Sequence, residues 1–268
     1  KPIMSKTLGL VLGSGGARGV AHAGFLYALE EQGIKPDYVT GCSMGSVVGG
    51  CYASGMTAVE IKDAILNLRM RDLLDISALP IFKLSLLKSE KMRDLLSLYV
   101  KKKNIEDFPI PFKCVATDLL SGRLHVFDKG DAVTAMQASS TIPSVFRPVP
   151  FNDGEELLVD GGCLCRLPIK LVKEMGADVV VAIDVLKNSS SPIENVDNII
   201  MLMLRVFEVM DANTTALMRL QDGHMCDLLL EPEMKGISSY KVKDLDRTFD
   251  EGYKLGQANV DKIKELLK

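Results

Sequence analysis

The chain has 268 residues, with 35 acidic and 32 basic side chains and a formal net charge of −3 at pH 7. Because the charges nearly cancel and no block of five like charges occurs, a nucleic-acid partner is not expected. The 47% hydrophobic and 25% charged residues are ordinary for a globular protein, which excludes a disordered chain and a disulfide-stabilised miniprotein.

Strand-like and helix-like segments alternate from the start of the chain, a pattern typical of a mainly parallel sheet covered by helices. A first strand is predicted at 7–12, followed by a glycine-rich turn and a helix over 20–32 that ends at Gly33. A second strand at 38–42 breaks sharply, and the small residues at 47–53 predict a helix packed tightly on the sheet.

Residues 57–110 differ in character and are interpreted as an inserted segment after the second strand. Helices are predicted at 58–68 and 90–100, on either side of an apolar stretch at 73–87 that lacks clear periodicity. We expect this stretch to be core, and the alternative is the wall or lid of an apolar cleft.

The remaining chain resumes the alternation and completes a single predicted domain over 1–268. The run 179–185 is the most strongly β-branched and is predicted to be a central strand. Further predicted elements are strands at 112–118, 123–127, 156–160 and 226–230, a loop at 189–192, and helices at 131–139, 195–221 and 244–267.

The six cysteines are scattered, and four lie in apolar or strand-like segments where a reduced thiol behaves as a small hydrophobic group. This distribution favours a reducing compartment, so a cytoplasmic location is expected. Cys163 and Cys165 form a C-x-C pair without a second pair at zinc spacing, so no metal site is predicted. The longest apolar run, 199–204, is far below the ~20 residues that span a bilayer, and peripheral membrane contact stays open.

A glycine-rich loop, Gly13-Ser14-Gly15-Gly16-Ala17-Arg18-Gly19, joins the first predicted strand to the first helix. At such a position backbone N–H groups and the helix dipole stabilise negative charge. A dinucleotide fingerprint would need glycine in place of Arg18, and a P-loop would need Gly-Lys-Ser or Gly-Lys-Thr, so neither nucleotide site is predicted. Taken alone, the loop is equally consistent with an anion site and with a tight turn that binds nothing.

The sequence Gly41-Cys42-Ser43-Met44-Gly45 matches a nucleophile elbow, in which a sharp strand-to-helix turn exposes a serine. Ser43 is therefore a candidate nucleophile, and the glycine loop one βα unit earlier offers donors for an oxyanion. Serine needs a base to remove its proton, and Asp160, before Gly161 and Gly162 at a strand end, offers a carboxylate. The alternative for Asp160 is a side chain that only stabilises its own turn.

These motifs together resemble the patatin-like phospholipase family, in particular its short bacterial members. The resemblance rests on the glycine loop, the elbow at Ser43, the Asp160-Gly161-Gly162 motif and the intervening segment 138–146, and it extends over residues 7–185. It implies a three-layer αβα sandwich with a mainly parallel central sheet. It also implies hydrolysis of acyl esters, with a lipid or acyl ester as the substrate.

The resemblance implies a Ser–Asp dyad that works without histidine. Ser43 is then the nucleophile and Asp160 the base, and no cofactor, metal ion or calcium site is expected. The amides of Gly15 and Gly16 would form the oxyanion hole, and Arg18 would support that loop. The glycines that allow close backbone approach are Gly41 and Gly45 in the elbow, and Gly161 and Gly162 after the aspartate.

Two positions depart from the pattern of the resembled family. Ser14 stands where many members have glycine. Cys163-Leu164-Cys165-Arg166 stands where small residues or asparagine usually follow the Asp-Gly-Gly motif, and we expect this difference to bear on substrate preference.

Three alternatives stay open on the sequence. The chain order also permits a triad of Ser43, Asp184 and His224. A dyad enzyme would act as an acyltransferase if an alcohol or lysolipid replaced water as the acceptor, and a non-catalytic member would only bind an anionic ligand. The chain has three histidines, His22, His125 and His224, and the dyad hypothesis predicts that hydrolysis requires none of them.

Overall fold

The computed structural model describes residues 6–66, 90–186, 196, 198–240 and 244–268. Within these residues one mixed sheet is covered by helices on both faces. The strands are β1 (Leu8–Leu12), β2 (Tyr38–Cys42), β3 (Phe112–Asp118), β4 (Arg123–Phe127), β5 (Val149–Phe151), β6 (Glu156–Asp160), β7 (Val179–Ile183) and β8 (Leu228–Leu230). The helices are α1 (Val20–Glu31), α2 (Met44–Ala53), α3 (Ala58–Leu66), α4 (Glu90–Tyr99), α5 (Ala132–Ser139), α6 (Ile169–Glu174), α7 (Ile199–Asp222) and α8 (Leu245–Leu266).

The strand order is β5-β6-β3-β2-β1-β7-β8, and β4 also pairs with β3. The pairs β1–β2, β1–β7, β2–β3 and β7–β8 are parallel, whereas β4, β5 and β6 join antiparallel. The expected mainly parallel centre is therefore present, with an antiparallel addition on one side. As predicted, β7 is an interior strand, and all of its residues are buried between β1 and β8.

The two faces of β1 contact different helical layers. Leu8, Leu10 and Leu12 belong to the main core, to which α1, α2, α3, α5 and α8 contribute. Val11 points to the opposite face and packs with Val172 of α6. This alternation buries both faces of the sheet, as is usual for parallel strands between helices.

The predicted elements agree with the structure at most positions, and the two elements that were missed are short. β5 has three residues and includes Pro150, which restricts it to the edge of the sheet. α6 has six residues, too few to show a helical period in the sequence. The predicted strand at 226–230 is shorter than expected, because it pairs with β7 only from Leu228 onward.

The two apolar segments noted in the sequence have different outcomes. The stretch 73–87 lies outside the described residues, so its role as core or lid, and the inserted character of 57–110, remain predictions. In the first half of α7, Ile199, Met203 and Met210 are exposed, so this face of the helix is not core. Within the described part of the chain, no helix combines the length and apolar character needed to cross a bilayer.

Candidate active site

Ser43 is the single residue between the end of β2 and the start of α2. Its φ of 52° and ψ of −125° lie outside the ordinary regions for a residue with a side chain, so the turn is strained. Gly45 must lack a side chain, because a Cβ there would lie 1.9 Å from the carbonyl oxygen of Leu12. A sharp strand-to-helix turn is therefore present at this position, with the serine at its apex.

Hydrogen bonds hold the backbone of Ser43 on both sides. Its N–H donates to Oγ of Ser139 at 3.0 Å, and its carbonyl accepts from the hydroxyl of Ser46 at 2.6 Å. Ser139 lies at the end of α5, 96 residues away along the chain. Apart from the position of Ser139 in segment 138–146, no sequence pattern indicates this contact.

The hydroxyl of Ser43 donates a hydrogen bond to Oδ2 of Asp160 at 2.6 Å. Asp160 is the last residue of β6, and its Oδ1 accepts from the N–H of Gly162 at 2.8 Å. The Asp160 backbone is held by the Thr117 hydroxyl, at 3.0 Å from its carbonyl, and by the Thr141 carbonyl, at 2.9 Å from its N–H. Asp160 therefore stabilises its turn and contacts Ser43 at the same time.

The Asp160 carboxyl group is buried, with 2% of the residue exposed. Burial raises its pKa to about 6, and the nearby charge of Asp211 acts in the same direction. The hydrogen bonds from Ser43 and Gly162 oppose this shift because they favour the ionised carboxylate. At neutral pH the group is therefore ionised and still basic enough to accept a proton.

Two amides of the glycine loop have no acceptor among the residues that the structure describes. The N–H groups of Ser14 and Ala17 are bound to carbonyls of neighbouring segments. In the part of the chain described by the structure, no acceptor contacts the amides of Gly15 and Gly16. Gly16 has a φ of 52°, and a Cβ there would lie 2.4 Å from the carbonyl oxygen of Ser239, so the loop requires glycine at this position.

A cavity of about 40 Å³ brings these groups together. It is bordered by Ser43, Asp160, Gly15 and Gly16, and this volume is enough for water. Its other lining residues are Ser14, Ile142, Leu186, Phe207, Glu208, Asp211, Ser239 and Tyr240.

Arg18 lies behind the glycine loop and is 2% exposed. Its Nε donates to the carbonyl of Ile237 at 2.8 Å, which ties the loop to the segment that includes Ser239. Burial lowers the pKa of the Arg18 guanidinium. Arg18 does not line the cavity. Its contacts are therefore those of a residue that supports the loop and does not touch a substrate.

The three histidines lie outside this cavity. His22 is fully buried in α1, its Nε2 lies 2.7 Å from the carbonyl oxygen of Gly13, and burial lowers its pKa to about 4. His125 lies on β4, with Nδ1 2.7 Å from Oε1 of Glu156. His224 lies in the short turn that follows α7.

The alternative triad is not assembled. Asp184 contacts the guanidinium groups of Arg166 and Arg219, whereas the Ser43 hydroxyl donates to Asp160. In the described residues no hydrogen bond joins His224 to Asp184 or to Ser43.

Arg166 and Asp211 are parts of the site that sequence analysis did not identify. Nη1 of Arg166 lies 2.6 Å from Oδ2 of Asp211, and Nη2 lies 2.9 Å from Oδ2 of Asp184. Asp211 lines the cavity from α7. Two features of the sequence could have indicated them: Arg166 is an arginine in an otherwise small and apolar turn, and Asp211 is an aspartate in a strongly apolar helix.

Comparison with known proteins shows the family to which this chain is related. The family model described as patatin-like phospholipase matches residues 10–173. An uncharacterized NTE family protein of Mycobacterium tuberculosis is 38% identical over 188 residues, which cover 70% of this chain and 51% of that protein. Human patatin-like phospholipase domain-containing protein 6 is 33% identical over 189 residues, which cover 68% of this chain and 14% of that protein.

Two further likenesses extend over nearly the whole chain. Lysophospholipase NTE1 of Debaryomyces hansenii is 29% identical over 290 aligned positions, which cover 97% of this chain and 18% of that protein. The crystal structure of VipD from Legionella pneumophila has a TM-score of 0.58 at 16% identity, covers 97% of this chain and 67% of that one, and shows the same fold. The chain spans about half the length of the mycobacterial relatives that it matches. By the family model and by its relatives, the chain belongs to the patatin-like phospholipase family.

Proposed function

We propose that this chain is a serine lipid acyl hydrolase of the phospholipase, lysophospholipase or esterase type, and thus a carboxylic ester hydrolase. The observation that carries the proposal is the 2.6 Å hydrogen bond from Ser43 to Asp160 in a cavity that also contains the amides of Gly15 and Gly16. A nucleophile, a base and two free N–H donors are the groups that acyl transfer requires.

In the first half of the proposed reaction, Asp160 accepts the Ser43 proton while Oγ attacks the ester carbonyl carbon. The amides of Gly15 and Gly16 donate hydrogen bonds to the carbonyl oxygen as it becomes an oxyanion. Ser43 also stands at the N-terminus of α2, whose dipole favours negative charge at this position.

The second half releases the acyl group. The tetrahedral intermediate collapses to an acyl-enzyme, and Asp160 gives its proton to the departing alkoxide oxygen. Asp160 then accepts a proton from a water molecule as that water attacks the carbonyl carbon of the acyl-enzyme. When the carboxylic acid product leaves, Asp160 returns this proton to Oγ of Ser43 and the hydroxyl is regenerated.

An apolar cavity beside the elbow supports a substrate with an acyl chain. It has a volume of about 60 Å³ and begins at Met44, the residue after Ser43. Its walls come from α2, α3 and α4. The names of two relatives, a lysophospholipase and a patatin-like phospholipase, agree with a lipid ester. The side chains that line it are Met44, Val47, Val48, Cys51, Met56, Ile61, Ala64, Ile65, Met92, Leu95, Leu96, Tyr99 and Ser140.

A cytoplasmic location is part of the proposal. It is supported by the six cysteines, all of which are free thiols. Four of them, Cys42, Cys51, Cys114 and Cys165, are buried, as expected for thiols that serve as small hydrophobic groups.

The test compares wild type, S43A and D160N for labelling by a fluorophosphonate and for hydrolysis of p-nitrophenyl acyl esters. S43A should neither label nor hydrolyse, and D160N should lose about 10²- to 10⁴-fold in kcat, the usual contribution of a general base. S54A is the matched control, because Ser54 is a buried serine outside the site. This variant should label and hydrolyse as the wild type does.

Two outcomes would contradict the proposal. One is S43A hydrolysis as fast as that of the wild type, and the other is a wild-type chain that neither labels nor hydrolyses, which would favour a non-catalytic ligand-binding member. Product analysis with a lysolipid present distinguishes hydrolysis from acyl transfer, because only transfer yields a new ester.

A further inference from the structure

Arg166 connects three parts of the candidate active site. It follows Asp160 by six positions, after the turn Gly161–Cys163. Its carbonyl accepts from the N–H of Ser14 at 3.1 Å, and this contact joins the turn to the glycine loop. Its side chain is directed to α7 and to the end of β7, where it meets two carboxylates.

The Arg166 guanidinium binds the two carboxylates through different nitrogens, Nη1 to Asp211 and Nη2 to Asp184. All three residues are buried, at 5% exposure or less. Asp184 has a second cation in Arg219, whereas Arg166 is the only cation that contacts Asp211 among the ion pairs of the described residues. Burial raises the pKa of Asp211, and the charge of Arg166 and its hydrogen bond to the carboxylate oppose this shift.

Two ionic contacts hold α7 to the rest of the protein: Asp211 binds Arg166, and Arg219, near the end of the helix, binds Asp184 and Glu231. Only three of its residues are buried, Leu204, Asp211 and Thr215. Most of its large apolar side chains face away from the protein, and its apolar packing is limited to a few side chains such as Leu204 and Met218. The exposed large apolar residues of α7 are Ile199, Leu202, Met203, Val206, Val209, Met210, Leu217 and Leu220.

We propose that Arg166 is a positioning residue for ester hydrolysis. Its guanidinium holds α7 through Asp211 as one wall of the catalytic cavity, and its carbonyl holds the glycine loop through Ser14. The proposal rests on the hydrolase function proposed above. Correct placement of donors and walls around a reacting centre matters because a shift of about 1 Å can cost about 10²-fold in rate.

The conservative variant R166K separates the shape of this residue from its charge. Lysine keeps a cation but offers a single point of contact, whereas the planar guanidinium binds two carboxylates at once. We expect R166K to fold, to lose about 10- to 100-fold in kcat, and to change KM less than kcat. Amide hydrogen exchange in α7 should become faster, because the helix loses the planar guanidinium partner of Asp211. Exchange in residues 13–19 should change less, because the backbone carbonyl at position 166 still accepts from Ser14.

A second variant, D211N, provides a readout that a merely structural role would not change. Asparagine removes a negative charge close to Asp160, and that charge raises the Asp160 pKa. The acid limb of kcat/KM should therefore move to lower pH in D211N, while exchange in α7 rises. In R166K the acid limb should stay in place, because the local charges are the same as in the wild type.

R93K is the matched control, because Arg93 also binds a carboxylate, that of Asp131 at 3.4 Å, but on the surface and away from the cavity. Equal kcat and equal α7 exchange in R166K, R93K and wild type would overturn the proposal, as would wild-type α7 exchange in D211N. Failure of the proposed function is recognised separately, since it would appear in the wild-type chain, which would then neither hydrolyse esters nor label at Ser43.

Discussion

The Oγ of Ser43 and the Oδ2 of Asp160 lie 2.6 Å apart, and the two residues are 4% and 2% exposed. This pair joins a strained serine to an aspartate whose carboxyl group is buried away from solvent. A buried carboxylate is harder to ionise, so it is also a stronger base than an exposed aspartate. In the proposed dyad, burial therefore supplies the basicity that histidine supplies in a triad.

Ester hydrolysis should depend on the ionisation of Asp160. Because only the carboxylate accepts a proton, kcat/KM should be constant above the pKa of about 6 and fall about tenfold per pH unit below it. A pH-stat assay with a short-chain ester measures this limb directly. A midpoint at about 3.9, the ordinary value for aspartate, would show that burial does not set the basicity.

The same pKa shift predicts how Asp160 affects stability. Its pKa is raised from 3.8 in the unfolded chain to about 6 in the folded one, so the folded state holds the proton more tightly. The contribution of protonated Asp160 to the unfolding free energy is fully present below the pKa of the unfolded chain and is lost as pH rises through about 6. At higher pH the buried charge costs about 3 kcal/mol. Relative to D160N, the wild type should therefore lose up to that amount of unfolding free energy between about pH 4 and pH 8, as measured by urea denaturation.

Asp118 is the control for this experiment, because its pKa is shifted in the opposite direction, down to about 2, chiefly by the N–H of Leu157 and the Ser121 hydroxyl. The stability from Asp118 is present above its unfolded pKa and is lost as pH falls toward about 2. D118N should therefore be most destabilised, relative to wild type, at neutral pH. Identical pH profiles for D160N and D118N would contradict the assignment of these shifts.

The local motifs of this site could be predicted from the sequence, and the family resemblance implied the pairing of Ser43 with Asp160, whereas the helix contacts around them could not be predicted. The elbow at Ser43 and the turn at Asp160 depend on glycines within two residues, so a short pattern reveals both. Ser139 and Asp211 come from helices 96 and 168 positions beyond Ser43, and their contacts depend on how α5 and α7 pack. No sequence period encodes that packing.

The histidine variants test whether the dyad is sufficient. H22Q, H125Q and H224Q should each retain kcat within several-fold of the wild type. H22Q should be destabilised by about 1–3 kcal/mol, because the buried hydrogen bond between Nε2 and the Gly13 carbonyl is lost or poorly replaced. The measurements are ester hydrolysis per labelled active site and urea denaturation. A loss of about 10³-fold in kcat for any one variant would identify that histidine as catalytic and contradict the dyad.

Ser139 should affect both stability and rate, because it is the acceptor for the N–H of the strained residue Ser43. S139A leaves this N–H without a partner in a buried site, at a cost of about 1–3 kcal/mol in unfolding free energy. It also frees the elbow to relax from its φ of 52°, so kcat per folded molecule should fall by about 10- to 100-fold. The rate of fluorophosphonate labelling of Ser43 measures this loss without a contribution from deacylation.

Ser54 provides the matched control for Ser139. It is equally buried, donates to the Cys51 carbonyl at 2.8 Å and accepts the N–H of Lys101 at 3.0 Å, but it does not line the catalytic cavity. S54A should therefore lose a comparable amount of stability while Ser43 labels at the wild-type rate. If both variants reduced the labelling rate equally, the effect would come from general loss of stability. A specific loss in S139A would show that the strained geometry of Ser43 depends on an acceptor supplied by a distant helix.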